Sequence, residues 1–177
     1  MRTLVLGGIR SGKSQWAEAA IAPEVSVRYI ATGSSGASDE AWAKRVADHR
    51  KRRPPTWSTI ESADVATQLR AETDTPTLVD DLGGWLTTTL DRRGWDGGPI
   101  TTEVDDLVAA IGAFSAPLVL VSPEVGLTVV PATESGRRFA DELGALNQRI
   151  AGCCERVVLV IAGQPVLVKP TTMTASC

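Results

Sequence analysis

Eight residues near the amino end have the types and the spacing of a phosphate-binding loop. The run Gly7-Gly8-Ile9-Arg10-Ser11-Gly12-Lys13-Ser14 fits the pattern G-x-x-x-x-G-K-[ST]. Glycines in such a loop allow the backbone to curl so that its N–H groups point at phosphate oxygens. We expect the Lys13 ammonium between the β- and γ-phosphates and the Ser14 hydroxyl on Mg²⁺. The run therefore predicts a nucleoside triphosphate site with its metal ion, and the alternative is an ordinary glycine-rich turn.

The single histidine, His49, is the second candidate for chemistry, and it stands in a strongly basic stretch. Nearby cations should lower its pKa and keep the imidazole neutral near pH 7, and a neutral imidazole can act as a nucleophile on phosphorus. The cations of this stretch are Arg45, Arg50, Lys51, Arg52 and Arg53. Two other interpretations stay open: a solvated helix end matched to the helix dipole, or an anion-binding patch for a triphosphate.

Carboxylates follow two of the apolar runs. Asp80 and Asp81 end a predicted strand, where P-loop enzymes place the acidic residue that holds Mg²⁺ or its water shell. We prefer Asp80 for that role, and the alternative is that both residues cap the next helix. Glu124 follows another predicted strand and is either a functional carboxylate or a turn residue. The segment Thr32–Gly36 is either a plain loop or a second wall of the nucleotide site.

Apolar runs that alternate with helix-like segments must position these residues. The alternation predicts an α/β fold, a mostly parallel sheet flanked by helices. Strands are expected at residues 3–6, 25–31, 57–61, 76–81, 117–122 and 156–162, and helices at 15–21, 38–52, 63–72, 101–114 and 134–154. A helical segment should begin at Gly83, and residues 91–99 should form an exposed loop. Residues 163–165 should turn the chain so that 166–169 return as an antiparallel edge hairpin.

Length and composition limit the classes of protein. A chain of 177 residues suits one domain, expected at 1–169, with a disordered tail at 170–177. A net charge of −3 argues against a general nucleic-acid binder. Three cysteines, two of them adjacent, indicate a reducing compartment, and Cys153 and Cys154 should pack near a helix end. With no leader and no membrane span visible, we expect a cytoplasmic protein.

The joint pattern resembles a known family, the bifunctional adenosylcobinamide kinase/adenosylcobinamide-phosphate guanylyltransferases of cobalamin biosynthesis. The resemblance extends from about residue 4 to residue 169. Besides the phosphate-binding loop, it is carried by Tyr29-Ile30-Ala31-Thr32, Arg45-Val46, His49-Arg50, Arg53-Pro54, Trp57, Thr59, Glu61, Glu124-Val125-Gly126, Val130-Pro131, Arg138-Phe139, Asp141 and Asn147-Gln148-Arg149.

This resemblance implies two reactions. A nucleoside triphosphate, ATP or GTP, phosphorylates the aminopropanol hydroxyl of adenosylcobinamide, and GMP then passes from GTP to that phosphate through a GMP-histidine intermediate at His49. By position, the remaining nucleotide contacts are Thr32, Gly33, Ser34, Arg50, Lys51, Arg52, Arg53, Glu61 and Asp80. The resemblance also implies a P-loop NTPase-like sheet with an antiparallel edge, Mg²⁺ at Ser14 and Asp80, a corrinoid substrate and a homotrimer.

Two other functions remain as alternatives. The first is a monofunctional P-loop small-molecule kinase or NTPase in which His49 is not catalytic. The second is a non-catalytic, GTP-responsive binding module whose basic patch contacts a partner. Covalent GMP on the protein separates the bifunctional enzyme from both alternatives.

Overall fold

The apolar runs form one mixed sheet in the computed structural model, which describes residues 1–22, 26–33, 53–95 and 98–170. The strands of this described part are β1 (Arg2–Gly7), β2 (Arg28–Ala31), β3 (Ser58–Glu61), β4 (Thr77–Asp80), β5 (Leu118–Pro123), β6 (Arg156–Ile161) and β7 (Gln164–Lys169). Their order across the sheet is β3-β2-β4-β5-β1-β6-β7. Strands β1 to β6 are parallel, and β7 is antiparallel to β6. The predicted mostly parallel sheet with an antiparallel edge is therefore confirmed.

Helices cover both faces of the sheet, which explains why the central strands are almost wholly apolar. The described helices are α1 (Lys13–Ile21), α2 (Val65–Ala71), α3 (Leu82–Arg92), α4 (Thr101–Ala113) and α5 (Glu134–Cys153). On one face, α1 packs its buried Ala17 and Ile21 against strand residues such as Leu78. On the other face, α2 to α5 enclose the larger core. No helix in the described ranges is long and apolar enough to cross a membrane.

Most element boundaries differ from the prediction by one to three residues, and three of these differences are described here. Strand β2 starts at Arg28 rather than at residue 25. Ser26 and Val27 precede it without strand structure, and Val25 lies outside the described residues. Helix α3 continues to Arg92, beyond the predicted loop start at 91, since the buried Leu86 and Leu90 keep its apolar face against the core.

The third difference lies in the C-terminal hairpin. The turn consists of Ala162 and Gly163, with φ of 50° and 78°, so that β7 already begins at Gln164. Pro165 is tolerated in β7 because this strand lies at the edge of the sheet, where a missing N–H costs little. The predicted helix at 38–52 falls outside the described residues, as do the last seven residues of the predicted tail.

Candidate nucleotide site

The phosphate-binding loop connects the end of β1 to the start of α1. Gly12 has a φ of 91°, in the left-handed region that disfavours a side chain. A Cβ on Gly12 would also come within 3.2 Å of the Cα of Gly163. The N–H of Gly163 donates to the carbonyl of Ser11 at 2.8 Å. The β6–β7 turn therefore packs directly beneath the loop and supports its curled backbone.

The start of α1 gives the loop a positive electrostatic end. This helix begins at Lys13 and has no acidic residue of its own in the first turn, so its positive end is not neutralised from within the helix. The Lys13 ammonium lies 3.4 Å from the carbonyl oxygen of Gly8, folded back over the loop. This arrangement suits a loop that binds the phosphates of a nucleotide.

Ser14 and Asp80 face each other across the carboxyl edge of the sheet. The Ser14 hydroxyl donates to Oδ1 of Asp80 at 3.3 Å. The other carboxylate oxygen, Oδ2, accepts a hydrogen bond from the Tyr29 hydroxyl at 2.6 Å. Strand β5 lies between β1 and β4, so α1 must cross it to bring Ser14 to this carboxylate.

Asp80 and Asp81 have separate contacts in the fold. Oδ1 of Asp81 accepts a hydrogen bond from the N–H of Gly84 at 2.8 Å and thereby caps α3. Burial, and next the charge of Asp80, raise the pKa of the Asp81 carboxyl above its usual value. Asp81 is thus the helix cap, while Asp80 faces the phosphate-binding loop.

Tyr29 lies beneath the site with only 2% of its surface exposed. Burial, together with the neighbouring Asp80, raises its pKa far above the usual value, so the phenol is a hydrogen-bond donor to that carboxylate. The Arg53 guanidinium covers the ring, with Cζ 3.3 Å from the ring centroid. Arg53 also donates from Nη1 to the Thr59 hydroxyl at 3.0 Å.

The carboxyl ends of β2, β3 and β4 bring further predicted site residues to one edge. Register pairs Ala31 with Glu61 on one side and with Asp80 on the other. Thr32 follows β2, is only 1% exposed, and its hydroxyl donates to the carbonyl of Asp81. The Thr32 side chain therefore has a partner within the fold. Glu61 lies at the exposed end of β3.

The sequence-predicted site residues fall into two groups. Among the described residues, the loop at 7–14 lies with Asp80 at the edge where β2 and β3 end. Thr32, Gly33, Arg53 and Glu61 are described as well. The second group lies outside the described residues, so its placement stays a prediction: Ser34, His49, Arg50, Lys51 and Arg52. Glu124 connects to the loop through its N–H, which donates to the carbonyl of Gly7 at 3.0 Å, while its side chain accepts from Gly126 within a turn.

The donors at this edge fit Mg²⁺. A hydroxyl oxygen of Ser14 and a carboxylate oxygen of Asp80 lie side by side, and Mg²⁺ prefers such hard oxygen ligands. In nucleotide sites this ion uses one or two protein oxygens and takes the rest from phosphates and water. No cluster of three or more His, Cys, Asp or Glu side chains suited to a metal occurs among the described residues.

Sequence reasoning missed the contributions of Tyr29 and Gly163. Spacing says nothing about a hydrogen bond from Tyr29 to Asp80, because 51 positions separate the two residues. A signal was nevertheless present, since Tyr29 begins one of the segments that carry the family resemblance. Gly163 was predicted only as a turn residue, yet its N–H supports the phosphate-binding loop.

Fold and site together define a P-loop nucleotide-binding α/β protein. The profile of the family described as cobinamide kinase / cobinamide phosphate guanyltransferase matches residues 3–168, and the chain belongs to this family. The family description names both activities, which confirms the function expected from the sequence, an enzyme of cobalamin biosynthesis that acts on nucleotide and cobinamide substrates.

Curated relatives match this chain over nearly their whole length. The bifunctional adenosylcobalamin biosynthesis protein CobP of Pseudomonas aeruginosa is 43% identical, over 96% of this chain and 98% of that protein. The CobU proteins of Escherichia coli and Salmonella typhimurium are each 36% identical, over 96% of this chain and 100% of theirs. The P4 protein from bacteriophage phi6 in complex with ADP has a TM-score of 0.46 and 16% identity, and the chain spans 56% of its length, a likeness too weak to carry a conclusion.

Proposed function

We propose that this chain carries out both steps that convert adenosylcobinamide to adenosylcobinamide-GDP. The first step is phosphorylation of the aminopropanol hydroxyl, with ATP or GTP as donor. The second is transfer of GMP from GTP to that phosphate, with release of pyrophosphate. The observation that carries the proposal is the phosphate-binding loop with Ser14 facing Asp80, in a chain of this family.

In the kinase step, the substrate hydroxyl oxygen attacks the γ-phosphorus. The bond from that phosphorus to the β–γ bridging oxygen breaks, a nucleoside diphosphate leaves, and the hydroxyl proton is released. We assign phosphate binding to the N–H groups of the loop and to Lys13, whose ammonium already lies over it. Ser14 and Asp80 would hold Mg²⁺, which neutralises charge on the β- and γ-phosphates when bound.

In the guanylyl-transfer step, a ring nitrogen of His49 attacks the α-phosphorus of GTP. A P–N bond forms, the bond to the α–β bridging oxygen breaks, and pyrophosphate leaves. A phosphate oxygen of adenosylcobinamide phosphate then attacks the same phosphorus, and the P–N bond breaks to free the imidazole. We assign nucleotide contacts in this step to Thr32, Gly33, Ser34, Arg50, Lys51, Arg52, Arg53 and Glu61.

One described member of the basic stretch supports this assignment. Arg53 lies over Tyr29, whose hydroxyl contacts Asp80, so a guanidinium stands close behind the carboxylate edge of the P-loop site. A cation so near this edge suits binding of a nucleotide's negative charge. The role of His49 itself depends on the family resemblance and is the part that experiment must decide.

Labelling with GTP provides the decisive experiment. Wild-type protein is incubated with Mg²⁺ and GTP labelled at the α-phosphate, then denatured, and we expect acid-labile GMP on the protein, located at residue 49 by mass spectrometry. His49→Ala should carry no label while it retains phosphorylation of cobinamide. Equal labelling of His49→Ala, or an unlabelled wild type, contradicts the histidine mechanism. Turnover of ATP without covalent GMP would instead support a monofunctional kinase.

We also propose a homotrimer, which the family resemblance implies, and a cytoplasmic location, where ATP and GTP are available. In support of self-association, the edge strand β7 presents three consecutive apolar side chains, Val166, Leu167 and Val168, about half exposed (47%, 53% and 59%). Light scattering should give three times the mass of the 18.7 kDa chain. A monomeric wild type at micromolar concentration would contradict the proposal.

A further inference from the structure

The geometry points to Tyr29 as a positioning residue of the kinase step. Its hydroxyl sets the orientation of the Asp80 carboxylate, and Arg53 holds the tyrosine ring in the place from which it does so. This inference rests on the proposed function, in which Asp80 and Ser14 serve the Mg²⁺–nucleotide complex. It assigns a role to a side chain that contacts neither phosphate nor substrate in that proposal.

The two oxygens of Asp80 have different partners. Oδ2 accepts from the Tyr29 hydroxyl at 2.6 Å, and Oδ1 accepts from the Ser14 hydroxyl at 3.3 Å. The short bond to a carboxylate is of the stronger, charge-assisted kind. Because Tyr29 holds Oδ2, rotation of the Asp80 carboxylate about its Cβ–Cγ bond is restricted. Oδ1 is therefore directed toward Ser14 and the phosphate-binding loop.

Strand register makes this hydrogen bond rigid. Tyr29 pairs with Leu78, and Ala31 pairs with Asp80, so Tyr29 and Asp80 are diagonal neighbours on the same face of adjacent parallel strands. The ring is buried in the cluster beneath α1, where only 2% of its surface is exposed. The donor is thus fixed by the sheet itself rather than by a loop.

Arg53 completes the support from the remaining side. Its guanidinium lies 3.3 Å from the ring centroid, within the range of a cation–π contact, and is itself held by the hydroxyl of Thr59 on β3. A series of contacts therefore connects the outermost strand to the carboxylate: Thr59 to Arg53, Arg53 to Tyr29, and Tyr29 to Asp80. Only the last contact in this series touches the carboxylate assigned to Mg²⁺.

The variant Tyr29→Phe tests the inference, because it removes the hydroxyl but keeps the ring under Arg53. Electron paramagnetic resonance measures binding of Mn²⁺ to the enzyme in the presence of a non-hydrolysable triphosphate analogue. We expect the variant to bind Mn²⁺ about tenfold more weakly or worse. The Mg²⁺ concentration for half-maximal phosphorylation of cobinamide should rise in parallel. Affinity for the analogue in EDTA should stay within about twofold of the wild-type value, since the loop is unchanged.

A control on β4, the strand of Asp80, separates positioning from general stability. Thr77 is fully buried at the opposite end of β4, where its hydroxyl donates to the carbonyl of Thr75 at 2.9 Å. Thr77→Val likewise removes one hydroxyl hydrogen bond, and it should leave Mn²⁺ binding unchanged. If Tyr29→Phe lowers the melting temperature as Thr77→Val does, without altering the metal dependence, Tyr29 is merely structural and the inference is overturned.

Asp80→Asn makes failure of the inference distinguishable from failure of the proposed function. If the hydroxyl acts through the carboxylate, adding Tyr29→Phe to Asp80→Asn should weaken Mn²⁺ binding no further. Should Asp80→Asn itself leave metal binding and kinase turnover unchanged, the proposed metal role of Asp80 fails. Should Asp80→Asn weaken binding while Tyr29→Phe does not, the positioning role of Tyr29 alone fails.

Discussion

The hydroxyl of Ser14 lies 3.3 Å from the carboxylate of Asp80, although the two residues are 66 positions apart in the chain. Parallel strands end at the same edge of a sheet, and α1 packs across β5 to reach β4. A hydroxyl oxygen at the start of α1 therefore meets a carboxylate oxygen at the end of β4, and both can bind a metal ion. This is the arrangement that a Mg²⁺–nucleotide site requires.

Lys13 is predicted to be the main side-chain contact to the phosphates. Lys13→Ala should reduce cobinamide phosphorylation by roughly a hundredfold or more, because a preorganised charge aimed at the transferring phosphoryl group is lost. Steady-state kinase assays measure this effect. Lys169→Ala is the matched control, and this substitution should leave turnover unchanged. The Lys169 ammonium donates to the carbonyl of Ala151 in α5 and not to the phosphate-binding loop. Wild-type rates in Lys13→Ala would remove this residue from its assigned role.

Gly12 is predicted to be irreplaceable in the loop. Gly12→Ala should destabilise the fold by roughly 1–2 kcal/mol through its left-handed backbone alone, and it should also displace Gly163 and weaken nucleotide binding. Urea unfolding and calorimetric titration with GTP measure the two effects. Gly144→Ala, in the open middle of α5, should instead stabilise by up to about 1 kcal/mol and bind normally. Equal behaviour of the two variants would contradict the prediction.

We predict that Asp81 stabilises α3 by capping it, and that the negative charge of its carboxylate lowers the stability of the fold. Asp81→Ala should lower the free energy of unfolding by about 1 kcal/mol, because the N–H of Gly84 loses its acceptor. Asp81→Asn keeps an acceptor and should be at least as stable as wild type at pH 7. The raised pKa means that the folded state favours the neutral acid, so ionisation as pH rises costs stability. Denaturation of both variants checks this, and an Asn variant as weak as Ala would show that the charge itself stabilises.

We predict that Glu155 makes the free energy of unfolding depend on pH in the acid range. Its hydrogen bond from the Arg2 guanidinium, at 3.0 Å to Nε, lowers the pKa of Glu155 from 4.5 to about 2. The ionised form therefore contributes stability that is complete above pH 4.5 and is lost as pH falls through about 2. Solvent screening limits this contribution to about 1 kcal/mol.

Two substitutions test that acid dependence. Unfolding of Glu155→Gln should vary less than unfolding of wild type between pH 5 and pH 2, by about 1 kcal/mol. Asp105→Asn removes the partner of Arg149 in an exposed ion pair at 2.7 Å and should change the profile little. Identical profiles for wild type and Glu155→Gln would show that the pair with Arg2 contributes nothing.

The sequence by itself determined the class of fold and the phosphate-binding loop. The residues of that loop are contiguous, and the buried strands are short apolar runs, so both are patterns that neighbouring positions express. The antiparallel return of β7 was likewise predicted from a turn between two apolar runs. Helix α3 was predicted to end too early, because its last buried turn depends on the core that it packs against.

Only the tertiary structure decided which residues meet at the site. It showed Asp81 as the cap of α3, brought the hydroxyl of Tyr29 to Asp80, and placed Gly163 beneath the loop. Each of these contacts joins segments whose proximity depends on strand order and register. Those properties arise when the whole sheet assembles, and the local spacing of residue types does not contain them.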